Sequence, residues 1–221
     1  MMPPKGKNVV FSLLAIVLFS LGAAHTAKAD ILVSVGNNPQ SDENVLLSGA
    51  VTGNPIFGLT NQTQLSVRFR GQEPLTAPAN GQARIEAVDG SLNQLTTDLS
   101  SVAGGPPTGS FTSLIFNLNA EGNGTVNFTA IDTNGQQFLS AFALGAGGQN
   151  FFTFTTSGNT RISSVSFTTT VPVGLGLDDI RQVRIGGAQN NAVPTPEPAT
   201  MLLLGTGLVG VAARIRKRRK A

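Results

Sequence analysis

Apolar and polar residues alternate through the middle of the chain. From Thr63 to Arg70 (TQLSVRFR), Leu65, Val67 and Phe69 fall on one phase and Ser66, Arg68 and Arg70 on the other. That period of two is what a half-buried strand requires. Similar patterns occupy residues 83–88, 125–131 and 162–168, the last imperfectly, with Ile162, Val165 and Phe167 as its apolar positions. Residues 111–118 are more continuously apolar, as a central strand can be, and Phe152 and Phe154 share a phase within 150–156. Turn formers separate these runs: Gly53-Asn54-Pro55, Asp89-Gly90, Gly104-Gly105-Pro106-Pro107, Glu121-Gly122-Asn123-Gly124, Asn134-Gly135, Gly147-Gly148 and Ser157-Gly158-Asn159. Amphipathic helix periodicity is missing. The pattern predicts an all-β fold of about nine to eleven short strands, an antiparallel β-sandwich or jelly-roll-like domain over 30–187. Asn134-Gly135 predicts that 125–131 and 138–142 pair directly as a tight hairpin, because Asn-Gly tolerates positive φ.

Both ends break the pattern. Lys5 and Lys7 precede an apolar run from Val9 to Ala24, and Ala27-Lys28-Ala29 supplies a small-x-small sequence before Asp30. This layout predicts a secretory signal peptide over 1–29, cut between Ala29 and Asp30. At the other end, 188–198 reads as a Pro-rich linker closing on Val193-Pro194-Thr195-Pro196-Glu197-Pro198. It cannot be helical, since each Pro lacks a donor and restricts its predecessor. The 15 residues 199–213 (ATMLLLGTGLVGVAA) carry no charge. As a helix they reach about 22 Å against a hydrocarbon core of about 30 Å, a shortfall that snorkelling arginines and local thinning can absorb. A single transmembrane helix is expected there. Arg214, Arg216, Lys217, Arg218, Arg219 and Lys220 then form a basic stop over 214–221 that stays cytoplasmic.

Charge and composition narrow the function. The net +3 is segregated: three basic residues and no acid precede Asp30, and six basic residues and no acid follow Ala213. Between them six arginines face twelve carboxylates, a net −6. An acidic domain lacks the basic face that nucleic acid demands, so nucleic acid is excluded as a partner. The chain has no Cys, Trp or Tyr, its single His25 lies in the signal segment, and 30–213 contains no Lys. These absences remove thiol and imidazole chemistry, soft metal ligands and Schiff-base lysines. Glu73, Glu86 and Glu121 show no spacing that singles out a glycosidase pair. The domain therefore reads as non-enzymatic.

Pro196-Glu197-Pro198, a glycine-containing apolar stretch and an arginine-rich end, in that order over residues 194–221, resemble the PEP-CTERM sorting domain. The resemblance implies that Pro196, Glu197 and Pro198 are recognised by exosortase, a membrane protease or transpeptidase of Gram-negative bacteria that make exopolysaccharide. It also implies that the helix is a transient inner-membrane anchor and that the chain ends at the cell surface or outside the cell. Signal peptidase, an exosortase-like protease and exopolysaccharide are the implied partners. Gly176-Leu177-Asp178-Asp179-Ile180, followed by Val183 and Ile185, resembles the closing strand of secreted jelly-roll and carbohydrate-binding modules. In some of those an acidic residue at this point holds structural calcium, which makes Asp178 and Asp179 the candidate metal ligands and calcium the one candidate cofactor. The alternative is that the two end a loop, cap a turn or pair with Arg181 or Arg184. Two functions follow: an exported envelope or matrix protein with a structural or interaction role, or a polysaccharide-binding module, calcium-dependent or hydrogen-bonding. Without Trp or Tyr, and with the phenylalanines on core phases, sugar binding would rest on Asn, Gln and Thr. Arg68 and Arg70 make either a solvated face or a small anion-binding patch.

Overall fold

A computed structural model of the chain describes residues 30–100, 105, 107–171 and 176–190. The predicted signal peptide, Pro-Glu-Pro signal, apolar helix and basic end lie outside these residues. Among the described residues every regular element is a strand, and no helix is long and apolar enough to cross a membrane. The first strands are β1 (Ile31–Val35), β2 (Glu43–Leu47), β3 (Val51–Gly53), β4 (Ile56–Thr60), β5 (Ser66–Gly71), β6 (Leu75–Ala77), β7 (Gly81–Gln82), β8 (Arg84–Ala87) and β9 (Gln94–Ser100). They are followed by β10 (Gly109–Ser110), β11 (Ser113–Ala120), β12 (Gly124–Asp132), β13 (Gln137–Leu144), β14 (Asn150–Thr156), β15 (Ile162–Thr170), β16 (Leu177–Gly186) and β17 (Gln189–Asn190). The seventeen strands of the described residues exceed the number expected, chiefly because five of them, β3, β6, β7, β10 and β17, have only two or three residues. A segment that short shows no periodicity.

Pairing is antiparallel throughout, in the order β1-β14-β11-β16-β2-β4-β5-β9-β15-β12-β13. Strand β2 is the turning point. Its Glu43 and Asn44 pair with Ile185 and Arg184 of β16, whereas Val45 and Leu46 pair with Thr60 and Leu59 of β4. One short strand thus passes from one ladder to the next, and the sheet folds back upon itself. Phenylalanines fill the space between the halves: Phe128 of β12 lies edge-on to Phe152 and Phe154 of β14, at 4.8 and 5.1 Å between centroids. Phe116 of β11 meets Phe167 of β15 at 6.1 Å. The result is sandwich-like, joined along the β2 side, with β1 and β13 as the ends of the strand order.

The alternation is realised as burial. Val67 and Phe69 of β5 and Val126, Phe128 and Ala130 of β12 are buried, and β11 is buried continuously from Leu114 to Leu118 between β14 and β16. The imperfect spacing of Ile162 and Val165 has a cause. Ile131 faces Ser164 but Asp132 faces Ile162, so Ser163 is the extra residue of a bulge, and its hydroxyl donates to the carbonyls of Ile131 and Asp132 at 2.9 and 3.0 Å. Strands β12 and β13 pair directly, as Asn134-Gly135 predicts, out to Ile131↔Gln137. The Asp132 N–H donates to Gln136 O at 3.0 Å, closing the loop around residues 133–135, and Gly135 alone in it has positive φ (82°).

The C-terminal boundary extends past Gly187. Strand β17 pairs with β10, and Arg161 donates to the Ser110 hydroxyl and carbonyl and to the Gly187 carbonyl, tying this end down. Ile31 pairs with Thr156, and Ser113 with both Thr155 and Gly186. Ile31 and Gly186 therefore lie at one pole, three strand spacings or roughly 14 Å apart.

Candidate functional site

Strand β11 sends Leu114, Phe116 and Leu118 into the core and Ser113, Ile115, Asn117 and Asn119 to the outer face of its half-sheet. Ile115 is nonetheless 1% exposed. Its cover is the segment 36–42, which crosses the outer face from β1 to β2. Gly36 O accepts from the Thr153 hydroxyl at 2.7 Å, and the Ser41 and Ser113 hydroxyls bond at 2.8 Å. Ser41 O accepts from Arg184 Nε and Nη2 at 3.0 and 2.7 Å.

Beside this crossing lies an open cleft of about 340 Å³. Half-buried Phe151 gives it a small apolar patch beside buried Ile115, and Asn37 and Gln40 of the crossing form one wall. Asn44 of β2, Gln82 of β7, and Gln182 and Arg184 of β16 complete it. Amide groups dominate, and none of these residues is a carboxylate. Gln82 Nε2 donates to Asn44 Oδ1 at 3.1 Å, and Gln40 Nε2 to Asn37 O at 2.7 Å. The Gln182 side chain is exposed and makes no hydrogen bond to described residues. Arg184 forms no ion pair among the described residues, in contrast to Arg68, Arg84 and Arg181.

Gln182 owes its place to a bulge. Ile115 pairs with Arg184 but Asn117 with Arg181, so three steps of β16 match two of β11. Gln182 takes φ of 55°, the left-handed region that a non-glycine residue seldom occupies. Ile180, Val183 and Ile185 still reach the core. The bulge thus places Arg181, Gln182 and Arg184 together on the outer side.

Further along this face, Asp178 and Asp179 lie inside β16, not before it. The Asp179 side chain has no exposure; its Oδ2 meets Arg84 Nε at 3.0 Å and its Oδ1 meets Arg181 Nε at 2.9 Å. Arg181 is thus a partner, as one reading of the sequence had it, while Arg184 turns to Ser41. Asn119 Nδ2 donates to Asp178 Oδ2 at 2.9 Å and approaches Asp179 Oδ2 at 3.3 Å. Burial pushes the Asp178 carboxyl above its ordinary range, and the neighbouring Glu121 carboxylate adds to the rise against the pull of Arg181 and Arg84. Gly148, at φ of 76°, lies over this group so closely that a Cβ there would strike the Asn119 side chain. Among the described residues no group of three or more His, Cys, Asp or Glu side chains is placed to hold a metal ion. Calcium takes six to eight oxygens, and at Asp179 it would meet two guanidinium groups. The residues present do not fit it.

Arg68 is not on a solvated face. Its Nε and Nη2 grip both oxygens of Asp98 at 2.9 and 2.8 Å, with side-chain exposures of 11% and 3%. Burial raises the Asp98 carboxyl, opposed by the Arg68 hydrogen bond and the charges of Arg68 and Arg70. Only Arg70 is left exposed, so the pair forms no anion-binding patch. The cleft had no local signature in the sequence: Asn44, Gln82, Phe151 and Arg184 come from four distant strands.

Residues 194–219 match the family model for the PEP-CTERM protein-sorting motif, and the chain carries that motif. The motif implies an exported protein, processed by an exosortase-type membrane protein and held at the membrane in transit to the surface. No curated protein matches the chain. A solved structure of a CBM29-2 mutant, from work on ligand recognition by family 29 carbohydrate-binding modules, is similar at 11% identity. It covers 78% of this chain and 99% of that one with a TM-score of 0.26, too loose a likeness to bear on function.

Proposed function

We propose that the chain is a cell-envelope or extracellular-matrix protein whose β domain acts by binding and not by catalysis. The observation that carries this reading is the sorting motif at 194–219, which follows within four residues of the last strand at Asn190. In this reading residues 1–29 are removed after Ala29, and 199–213 anchor the chain with 214–221 on the cytoplasmic side. The exosortase then acts at Pro196–Pro198. The buried carboxylates among the described residues support a structural role: Asp98 and Asp179 are held by arginines, Glu43 accepts from the Gln62 and Thr63 N–H groups and the Thr63 hydroxyl, and Asp132 accepts from the Asn134 and Gln136 N–H groups.

A second reading is favoured by the cleft. Its amide-rich lining with Phe151 at one side suits a hydroxyl-rich ligand, so the interaction role becomes polysaccharide binding, without calcium. Intact mass of the mature protein, purified from a host with the processing machinery, tests the first reading. The expected species starts at Asp30 and lacks everything beyond the Pro196–Pro198 region. A mature surface species ending at Ala221 overturns it in favour of an ordinary tail anchor.

A further inference from the structure

Arg184 lines the cleft on the outer face and forms no ion pair among the described residues. Its Nε and one Nη2 hydrogen are directed at Ser41 O, which fixes the plane of the guanidinium. Three N–H groups remain, two of them side by side on Nη1 and Nη2, a geometry that matches the two oxygens of a carboxylate. The other arginines of this face, Arg84 and Arg181, are taken by Asp179. The cleft holding Arg184 has no carboxylate in its lining.

The surrounding groups define the rest of the ligand. An amide presents a donor and an acceptor side by side, the pattern that adjacent ring hydroxyls answer with their own acceptor and donor. Asn44, Gln82 and Gln182 bring three amides to the cleft, and the Gln182 amide is unspent among the described residues. Phe151 offers a half-buried aromatic surface to a sugar's C–H face, a role that the sequence, lacking Trp and Tyr, gave no reason to assign. The volume of about 340 Å³ sits at the small end of ligand sites. Backbone strain points to the same place, because Gln182 holds a left-handed φ of 55° that glycine would adopt freely. Between Asp30 and Ala213 the chain carries a net −6 and repels an acidic polymer broadly, so an acidic unit finds its complement where positive charge is uncompensated.

We propose that the cleft binds a uronate unit of an acidic polysaccharide, Arg184 pairing with the carboxylate, Asn44, Gln82 and Gln182 bonding ring hydroxyls, and Phe151 covering the ring's apolar face. This rests on the polysaccharide-binding reading and names its ligand class. The test titrates the full chain in detergent micelles with oligogalacturonate, its methyl ester and a neutral glucan oligomer. Oligogalacturonate should bind with 1:1 saturation, and the methyl ester at least tenfold more weakly. Arg184→Gln should weaken oligogalacturonate tenfold or more, whereas exposed Arg70→Gln should change it less than twofold. Since Arg184→Gln also disturbs the Ser41 contact, Gln182→Gly serves as the second variant. It should keep or raise the Tm by relieving φ, yet weaken binding severalfold. Equal affinity for acid and ester, unmoved by Arg184→Gln, overturns the uronate assignment while leaving a neutral-glycan site standing. Equal weakening by Arg70→Gln and Arg184→Gln, or a Gln182→Gly variant that binds normally, removes the cleft as the site. No binding of any of the three overturns the glycan reading itself and leaves the export reading untouched.

Discussion

Asp98 is 3% exposed beneath Arg68, in a domain whose only cationic side chains between Asp30 and Ala213 are six arginines. Removing the guanidinium strands a buried carboxylate, so Arg68→Ala should cost about 3–5 kcal/mol in urea unfolding at neutral pH. Arg68→Ala combined with Asp98→Ala should cost less than the single change if the stranded charge is the cause. A single-variant loss below 1 kcal/mol refutes that account. Asp178 is a second carboxyl raised first by burial and then by the like charge of Glu121, against the pull of Arg181 and Arg84. Its native proton affinity is raised, so the native state keeps the proton to higher pH than the unfolded chain does. The group's favourable contribution is complete below the unfolded value of about 3.9 and is lost as pH climbs through the raised native value. Asp178→Asn retains an oxygen for Asn119 and abolishes the titration. Its Tm should therefore exceed the parent's at pH 7, with the gain vanishing near pH 3.5; a variant less stable at pH 7 contradicts the direction.

Among the elements, the β12–β13 hairpin isolates one cause of stability cleanly. Nothing lies within 4 Å of a Cβ built on Gly135, so Gly135→Ala meets no clash and pays only for φ of 82°. A loss of about 1 kcal/mol is expected, with Gly135→Asn milder because Asn visits that region more readily. Equal stability of all three forms would mean the loop can relax. This hairpin was legible because its signal is local, as were the buried phases of β5, β8, β11 and β12. Pairing over long range was not. Strands β10 and β17 have two residues each, and Arg161, bonded to Ser110 and Gly187, helps hold them together. The passage of β2 between ladders leaves no trace in Glu43–Leu47, where two polar residues precede three apolar ones with no period of two. The cleft was hidden for the same reason, and more deeply at Gln182: a left-handed residue is legible as Gly or Asn, and here it is neither. The sorting signal, contiguous in sequence, was legible whole.

For the whole molecule, the placement of Ile31 and Gly186 at one pole links fold to route. Ile31 begins β1 one residue after the predicted cleavage position, and Asp30 N donates to the Ser157 hydroxyl at 3.1 Å. The last strand ends four residues before the sorting motif begins at residue 194. Among the described residues Ile31 through Ile185 share one core of their own. Processing and folding should thus separate. Glu197→Ala should leave export and leader removal intact while a species that keeps its tail accumulates in the membrane fraction. The domain of that species should resist protease like the parent's and, if the cleft binds as proposed, hold oligogalacturonate with unchanged affinity. Normal release of the Glu197→Ala protein would show that the triplet is not the recognition element. Accumulation of a protease-sensitive domain would show instead that the fold depends on its processing.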